Sequence, residues 1–307
     1  MSRRRHATRA DTLARTSACR ASAPLALASV LAIGLAGCVP TPAPEPSASS
    51  APPSASPSET STPTAAPPET EEVELYFAVS HPTDIDLILE THELEIEPDG
   101  DVLAVALAVI TEGAIAPTDP DYANLWRDVP LRGVERDGDV LRVDLGGLLQ
   151  GVGAEAEFVA IEQLVWTATG IEPGIRALTF TVDGDVVESL GGHVDAQGEF
   201  ARGLPESTLS PLQIDAPAEG ATVMSPLRAS GVACVFEATF GWELLQNGMV
   251  LEEGFAMSDE SCPARAPWSL DLGPRPAGEY TLVITEYSMK DGSVASTDTK
   301  TFTVSGT

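Results

Sequence analysis

The sequence has few of the side chains on which most catalytic sites are built. Only four of its 307 residues are histidine. Three of them lie beyond the N-terminal segment, at His81, His92 and His193, and they lack the spacing of a metal site or a catalytic triad. The sequence contains neither a Gly-x-Ser-x-Gly elbow nor a His-Glu-x-x-His helix. Hydrolysis by these routes is therefore not predicted, and no cofactor or metal site is expected.

The apolar run near the N-terminus is too short to span a membrane. Residues 24–35 contain no charge, whereas a spanning helix needs about 20 apolar residues. Six arginines precede this run, which is the charge order of a secretory signal peptide. The sequence therefore predicts that residues 1–37 are a signal peptide and that the rest of the chain is exported.

The predicted signal peptide ends in Leu35-Ala36-Gly37-Cys38, which resembles the lipobox of bacterial lipoproteins. In that family the cysteine carries a diacylglycerol, with fatty acids such as palmitate, and becomes the first residue of the mature protein. The resemblance implies lipidation at Cys38 and anchoring to the outer face of the bacterial cell membrane. The alternative is an ordinary signal peptide in which Cys38 is incidental.

Basic residues are scarce once the predicted signal peptide is removed. Of the 17 lysines and arginines in the chain, 11 remain, against 45 of the 46 acidic residues, so the mature chain has a net charge of −34. Nucleic acid and anionic lipid headgroups would repel so acidic a protein. A nucleic-acid partner is therefore not predicted, and cations or basic partners are favoured.

Large side chains are nearly absent from residues 39–72, which consist almost wholly of Pro, Ser, Thr, Ala and Glu. Such a segment buries too little surface to offset the entropy of folding. With Cys38 it is predicted to form a disordered tether, residues 38–72, that holds the folded domains away from the membrane.

From residue 73 the pattern changes to that of a folded α+β domain, residues 73–203. Residues 102–110 are predicted to form an apolar helix capped by Asp101. Residues 154–169 are predicted to form a second helix, which ends at Gly170 and places Phe158, Ile161 and Leu164 on its apolar face. Turn sequences such as Asp183-Gly184 join paired strands. The predicted order is ββαββαββ, with strands at residues 73–79, 92–97, 131–137, 140–145, 175–182 and 186–187.

Three segments of this region resemble the GerMN domain of sporulation and spore-germination lipoproteins: residues 141–145, 162–169 and 180–184. The resemblance spans nearly all of residues 73–203. The sequence departs from the family in the middle, where a loop at residues 115–129 replaces a longer helical region.

The last part of the chain, residues 211–304, lacks helical periodicity and has the strand number of an immunoglobulin-like sandwich. Segments 217–220, 225–227, 236–240 and 278–282 resemble the immunoglobulin-like domain of bacterial spore-germination proteins, which implies a non-enzymatic envelope module. The seven predicted strands are residues 212–216, 227–232, 238–245, 250–256, 268–272, 280–287 and 300–304.

Cysteine is rare, with four residues in the whole chain. Cys19 lies in the predicted signal peptide and Cys38 at the lipidation site, which leaves Cys234 and Cys262 as one possible pair. An exported domain lies outside the reducing cytosol, so a disulfide between them is predicted in preference to two free thiols.

Carboxylates are plentiful, but their pattern is not that of a known site. Those around residues 84–86 and 119–128 could bind Ca²⁺, yet no EF-hand loop is present. A solvated acidic surface is the favoured interpretation of the following residues: Asp84, Asp86, Asp119, Asp121 and Asp128.

Two classes of function therefore remain. The favoured class is a non-enzymatic lipoprotein that binds or helps to assemble envelope components, with peptidoglycan or an envelope protein as its partner. The alternative is an enzyme that acts on envelope glycan through paired carboxylates in a cleft between the domains.

Overall fold

The computed structural model describes residues 68–306. The predicted signal peptide, Cys38 and most of the predicted tether lie outside the described residues. The first region, up to α3, contains the following elements: β1 (Glu69–Ser80), β2 (Ile85–Ile96), α1 (Val102–Thr111), β3 (Tyr122–Ala123), β4 (Leu131–Asp137), β5 (Val140–Leu145), α2 (Ala154–Ile171), β6 (Ala177–Val182), β7 (Asp185–Val186), β8 (Phe200–Ala201) and α3 (Pro205–Thr208).

The first region is built from two sheets and the helices α1 and α2. β1 and β2 pair antiparallel along the whole length of both strands, and β3 pairs with the other edge of β1. The second sheet has the order β4-β5-β6-β7, in which β5 and β6 are parallel because α2 crosses over between them. Sheets and helices enclose one apolar core, with Phe77, Trp126 and Phe180 among its buried aromatic side chains. The predicted α+β class is confirmed.

Helix α2 carries buried carboxylates that hold irregular segments of this region. Glu157 accepts hydrogen bonds from the backbone N–H groups of Gly191 and His193, both at 2.7 Å. One turn further on, Glu162 accepts from the N–H of Gly203 at 3.0 Å. Hydrogen bonds of this kind compensate a buried carboxylate for its lost hydration. The helix thereby fixes the path of the chain on its way to the second region.

Several predicted boundaries of the first region are wrong. The second strand begins at Ile85 instead of residue 92. The first strand begins at Glu69, so it includes residues 69–72, which were assigned to the tether. Both differences arise because the two strands pair along their whole length. The second helix continues to Ile171 because Gly170 keeps a right-handed helical conformation. Phe158, predicted to face the core, is 44% exposed, since residues 159–161 make the core contacts at that turn.

The second region is a sandwich of two sheets. The five-stranded sheet has the order β10-β16-β15-β12-β13, and the three-stranded sheet has the order β14-β11-β9. Trp242, Trp268 and Phe302 lie in the core between them. The elements are β9 (Leu212–Ala216), β10 (Thr222–Met224), β11 (Leu227–Ala233), β12 (Thr239–Gln246), β13 (Met249–Met257), β14 (Ala266–Gly273), β15 (Gly278–Tyr287) and β16 (Val294–Ser305).

The predicted immunoglobulin-like class is confirmed, and each of the seven predicted strands is present. The short strand β10 was not predicted. It pairs in parallel with the end of β16, through Val223 and Val304 among others. β16 begins at Val294, six residues before the predicted start, because it pairs with β15 along nearly the whole of that strand.

Cys234 and Cys262 are joined by a disulfide. Cys234 follows the end of β11, and Cys262 lies in the loop between β13 and β14. The backbone N–H of Cys262 also donates to the carbonyl of Val235 at 3.2 Å. The loop before β14 is therefore held against the end of β11 by a covalent bond and a hydrogen bond.

Candidate binding site at the domain junction

The two regions are joined by a connection that packs closely against β2. The N–H of Ser210 donates to the carbonyl of Leu87 at 2.8 Å, and Leu209 packs with Leu87 and Trp166. Gln213 of β9 reaches the same strand, and its side-chain oxygen and nitrogen each lie 3.5 Å from the backbone of Leu89. The start of the sandwich therefore lies alongside β2.

A buried ion cluster lies at the same junction. Lys300 of β16 contacts Asp119 and Tyr122 of the first region, and its Nζ is 3.4 Å from Oδ1 of Asp298. The Tyr122 hydroxyl donates to Asp298 at 2.7 Å. None of these four residues is more than 6% exposed. Two buried carboxylates are thus stabilised by one cation and one hydroxyl. The cluster includes side chains from both regions.

The buried carboxylate of Asp298 depends on its partners for its charge. Burial raises the pKa of Asp298, and the charge of Lys300 opposes that rise. Burial also raises the pKa of the Tyr122 hydroxyl, so that it stays protonated and can donate. The second oxygen of Asp298 accepts from the N–H of Ile214 at 2.6 Å, which places β9 in the same network.

Glu90 of β2 holds the segment that carries Asp119. Its carboxylate accepts from the N–H groups of Thr118 and Asp119 at 2.8 and 2.9 Å, and it lies 2.8 Å from Nε2 of His92. Burial alone would raise the pKa of Glu90, but these hydrogen bonds hold it below its usual range. The loop at residues 115–129, where the sequence departs from the GerMN pattern, is thereby fixed against the junction.

A cavity of about 500 Å³ opens at the junction and is lined by both regions. This volume falls within the range of about 300 to 1,000 Å³ typical of small-molecule sites. Its wall includes an aromatic ring, several carboxylates and two cations. The lining residues include Glu74, Tyr76, Glu90, Gln213, Asp215, Glu219 and Arg265.

Arg265 is the cation of this cavity that lacks an acidic partner. Its guanidinium donates to the carbonyl of Ser210 and, at 3.0 Å, to the side-chain oxygen of Gln213. Within residues 68–306, no carboxylate lies within 4 Å of it, which distinguishes it from Lys300. Burial lowers the pKa of Arg265, and the charge of Asp215 opposes this effect. A half-buried guanidinium with only neutral acceptors is suited to binding an anionic group.

Three of the four carboxylates that line the cavity are held by protein groups. Glu219 accepts from the N–H of Thr301 at 2.7 Å, and Asp215 accepts from Gln213 Nε2 at 2.7 Å. Glu90 accepts two backbone hydrogen bonds. These three carboxylates therefore have a positioning role at the junction, whereas glycan hydrolysis needs one carboxyl to donate a proton and another to act on the sugar or on water.

The three histidines considered from the sequence lie in separate places. His81 lies 3.6 Å from Asp86 and 3.2 Å from Ser210, while His193 lies 3.1 Å from the carbonyl of Val152. His92, through Glu90, and His81, through Ser210, lie at the junction, and His193 does not. Burial lowers the pKa of His81 and raises the pKa of Asp86 to about 6.

The favoured interpretation of the carboxylates is wrong for Asp119. Predicted to be on a solvated acidic surface, Asp119 is 1% exposed and contacts Lys300. Asp121 accepts from the hydroxyl of Thr299 at 2.6 Å and so also bridges the regions. Among the described residues, no group of three acidic, histidine or cysteine side chains is arranged to hold a metal ion.

The fold and the junction define a class of protein: an α+β domain joined to an immunoglobulin-like sandwich through a buried polar interface. The comparisons with known proteins agree with this description. Residues 74–188 match the family model described as "Sporulation and spore germination", and residues 212–293 match the "Immunoglobulin-like domain of bacterial spore germination". Both resemblances inferred from the sequence are confirmed. Neither description names an enzyme.

Solved structures match parts of this chain at low sequence identity. The tandem GerMN domains of the sporulation protein GerM from Bacillus subtilis match at 13% identity and a TM-score of 0.34, over 48% of this chain and 49% of that one. The first GerMN domain of the same protein matches at 14% identity and a TM-score of 0.32, over 43% of this chain and 98% of that one. A Clostridium perfringens protein described as a candidate lipoprotein matches at 22% identity and a TM-score of 0.29, over 43% of this chain and 87% of that one. No curated protein sequence matches the chain.

Helices α1, α2 and α3 lie within residues 68–306. No helix there combines the length and apolar character needed to cross a bilayer.

Proposed function

We propose that this chain is a non-enzymatic envelope lipoprotein, anchored through lipid on Cys38, that binds peptidoglycan fragments or chain ends in the cavity at its domain junction. The observation that carries the proposal is Arg265, a half-buried guanidinium in the cavity without a carboxylate partner. The matches to sporulation and germination domains, neither described as an enzyme, support the non-enzymatic class.

Peptidoglycan has the chemistry that this cavity would recognise. Its peptide stems carry carboxylates, and a guanidinium binds a carboxylate through two parallel hydrogen bonds. Its stems also carry amines and amides, which suit the carboxylates of Glu74 and Glu219 on the cavity wall. Tyr76 offers an apolar ring surface beside them, and its ring is tilted by 54° against that of Trp166 at a centroid distance of 5.5 Å. A lipid-anchored protein outside the membrane would meet this polymer directly.

Replacing Arg265 with alanine is expected to weaken the binding of muramidase-released peptidoglycan fragments at least tenfold, because a charge-assisted hydrogen bond contributes about 1.5 to 3 kcal/mol. Titration calorimetry on residues 38–307 carrying Cys38→Ser measures the affinity. Arg265→Lys should retain part of it. The matched control is Arg228→Ala, which removes an arginine that is exposed and paired with Asp271. Equal binding by the Arg265 and Arg228 variants would contradict the proposed site.

Replacing Cys38 with serine is expected to abolish lipidation, because no other residue at the predicted cleavage site has a thiol. In cells, the variant should lose incorporation of a fatty-acid probe and leave the membrane fraction. Cys19→Ser is the matched control, since it removes a cysteine of the predicted signal peptide and should leave labelling unchanged. Probe incorporation into the Cys38 variant would contradict the anchor.

A further inference from the structure

Strand β13 (Met249–Met257) is an edge strand with an unusual number of exposed apolar side chains. It ends the five-stranded sheet, and within residues 68–306 β12 is the only strand that pairs with it. Phe255 is 76% exposed and Met257 is 64% exposed, and the other exposed apolar residues of the strand are Met249, Val250 and Leu251. Soluble proteins usually protect such edges with charge, proline or a covering segment. An apolar edge strand open to solvent is typical of an interaction site.

The apolar surface continues across the outer face of the sheet. Phe255 lies opposite Gly241 on β12, and Gly241 lies opposite Thr285 on β15. The ring of Tyr287 covers Gly241, since a Cβ built there would lie 2.9 Å from the ring. The glycine thus leaves room for a half-exposed aromatic ring beside the exposed phenylalanine. Phe255, Met257 and Tyr287 form an apolar patch that is next to the free edge.

Two carboxylates lie beside this patch without a cation. Glu253 and Glu243 are direct partners across β13 and β12, two residues from Phe255 and Gly241 respectively, and therefore on the same face. Like charges directly opposite each other in a sheet are destabilising. Within residues 68–306, no lysine, arginine or histidine forms an ion pair with either carboxylate, whereas the neighbouring Glu252 pairs with Arg275. A basic side chain from outside would relieve the repulsion.

We propose that β13 binds an extended segment of another protein as an added strand, and that this segment carries a basic residue and an apolar residue two positions apart. The free backbone edge would supply main-chain hydrogen bonds, as in other cases of strand addition. The basic residue would lie opposite Glu253, on the side of β13 away from β12, with its long side chain reaching over the sheet toward Glu243, and the apolar residue would lie opposite Phe255. The proposal concerns a surface separate from the junction cavity and stands without the peptidoglycan proposal.

Two other occupants fit this surface less well. A second copy of the chain would bring the same Glu253 and Glu243 to the interface, where like charges repel. The chain's own residues 39–67 are rich in proline, which cannot donate to a strand ladder, and contain no lysine or arginine to pair with the carboxylates.

The test uses a capped, fluorescently labelled peptide in which threonine alternates with one lysine and two valines. The peptide is added, at physiological salt, to a protein that consists of residues 38–307 and carries Cys38→Ser. Fluorescence anisotropy is expected to show binding that falls at least tenfold in Phe255→Ser and in Glu253→Gln. Met224→Ser and Glu279→Gln, which change exposed residues on other strands, should stay within twofold of the parent. Amide exchange should slow over residues 249–257 and not over residues 222–224.

Three results would overturn the proposal. Equal loss in the Glu253 and Glu279 variants would reveal general charge attraction. Undiminished binding of a peptide with proline in place of threonine would exclude strand addition. Concentration-dependent dimerisation lost in Phe255→Ser, without peptide binding, would identify a second copy of the chain as the occupant.

Discussion

Replacement of Lys300 with methionine is expected to lower the free energy of unfolding by about 3 to 5 kcal/mol, the usual cost of removing one partner of a buried ion pair. The methylene chain of lysine is nearly reproduced by methionine, so packing changes little. Two carboxylates, Asp119 and Asp298, would then be buried without a cation. Denaturant unfolding of residues 38–307 carrying Cys38→Ser, followed by tryptophan fluorescence, measures the change.

Lys290 provides the matched control, because it is the one other lysine of the chain and is exposed. Lys290→Met should change the free energy of unfolding by less than about 0.5 kcal/mol. Combining Lys300→Met with Asp119→Asn and Asp298→Asn should recover part of the loss, because the uncompensated charges are then removed. If Lys300→Met were as stable as Lys290→Met, the ion cluster would have no role in holding the junction together.

The sequence predicted the two domain types because each has a strong local pattern. The turn at Asp183-Gly184 was predicted from its two residues, and the structure places both at positive φ between β6 and β7. β9 (Leu212–Ala216) has the predicted bounds. In contrast, the first half of β2 was missed because residues 85–91 lack regular alternation, although they pair with β1 next to the hairpin turn.

The junction could not be predicted from local patterns, since Asp119 and Lys300 are far apart in the chain. One sequence feature does point to it. β16 alternates so that Phe302 and Val304 face the core, and the same period of two places Lys300 and Asp298 on the buried side. A lysine and an aspartate on the inner face of a strand need polar partners, because burying a charge without one is costly. The sequence does not indicate which residues these partners are, and only the fold identifies them as Asp119 and Tyr122.

The alternation in β16 also explains why the junction cavity has polar walls. The inner face of the strand changes from apolar at Val304 to charged at Lys300 as it leaves the sandwich core and reaches the first region. β9 contributes to both in another way, because Leu212 and Ile214 face the core and Gln213, on the opposite face, lies at the junction. Two strands of the sandwich thus contribute both to its core and to the contact with its neighbour. A cavity between such surfaces is suited to a polar ligand.

Loss of the disulfide between Cys234 and Cys262 is expected to lower the free energy of unfolding by about 3 to 4 kcal/mol, the chain-entropy value for a loop of this length. The two residues are separated by 28 positions in the sequence. The bond also holds the loop that leads to Arg265, three residues beyond Cys262. Its loss should therefore weaken peptidoglycan-fragment binding as well as stability, because an arginine on a looser loop must be ordered before it binds.

The oxidised protein is compared with a double variant that carries both Cys234→Ala and Cys262→Ala. Denaturant unfolding measures the stability of each protein, and calorimetry measures its affinity for the same peptidoglycan fragments. Mass spectrometry of unreduced peptides establishes that the parent protein carries the bond. Adding a reductant to the double variant should change neither property, which separates loss of the bond from other effects of reduction. Unaltered stability in the double variant would mean that the loop is fixed by its hydrogen bonds, such as that from Cys262 to Val235, and not by the disulfide.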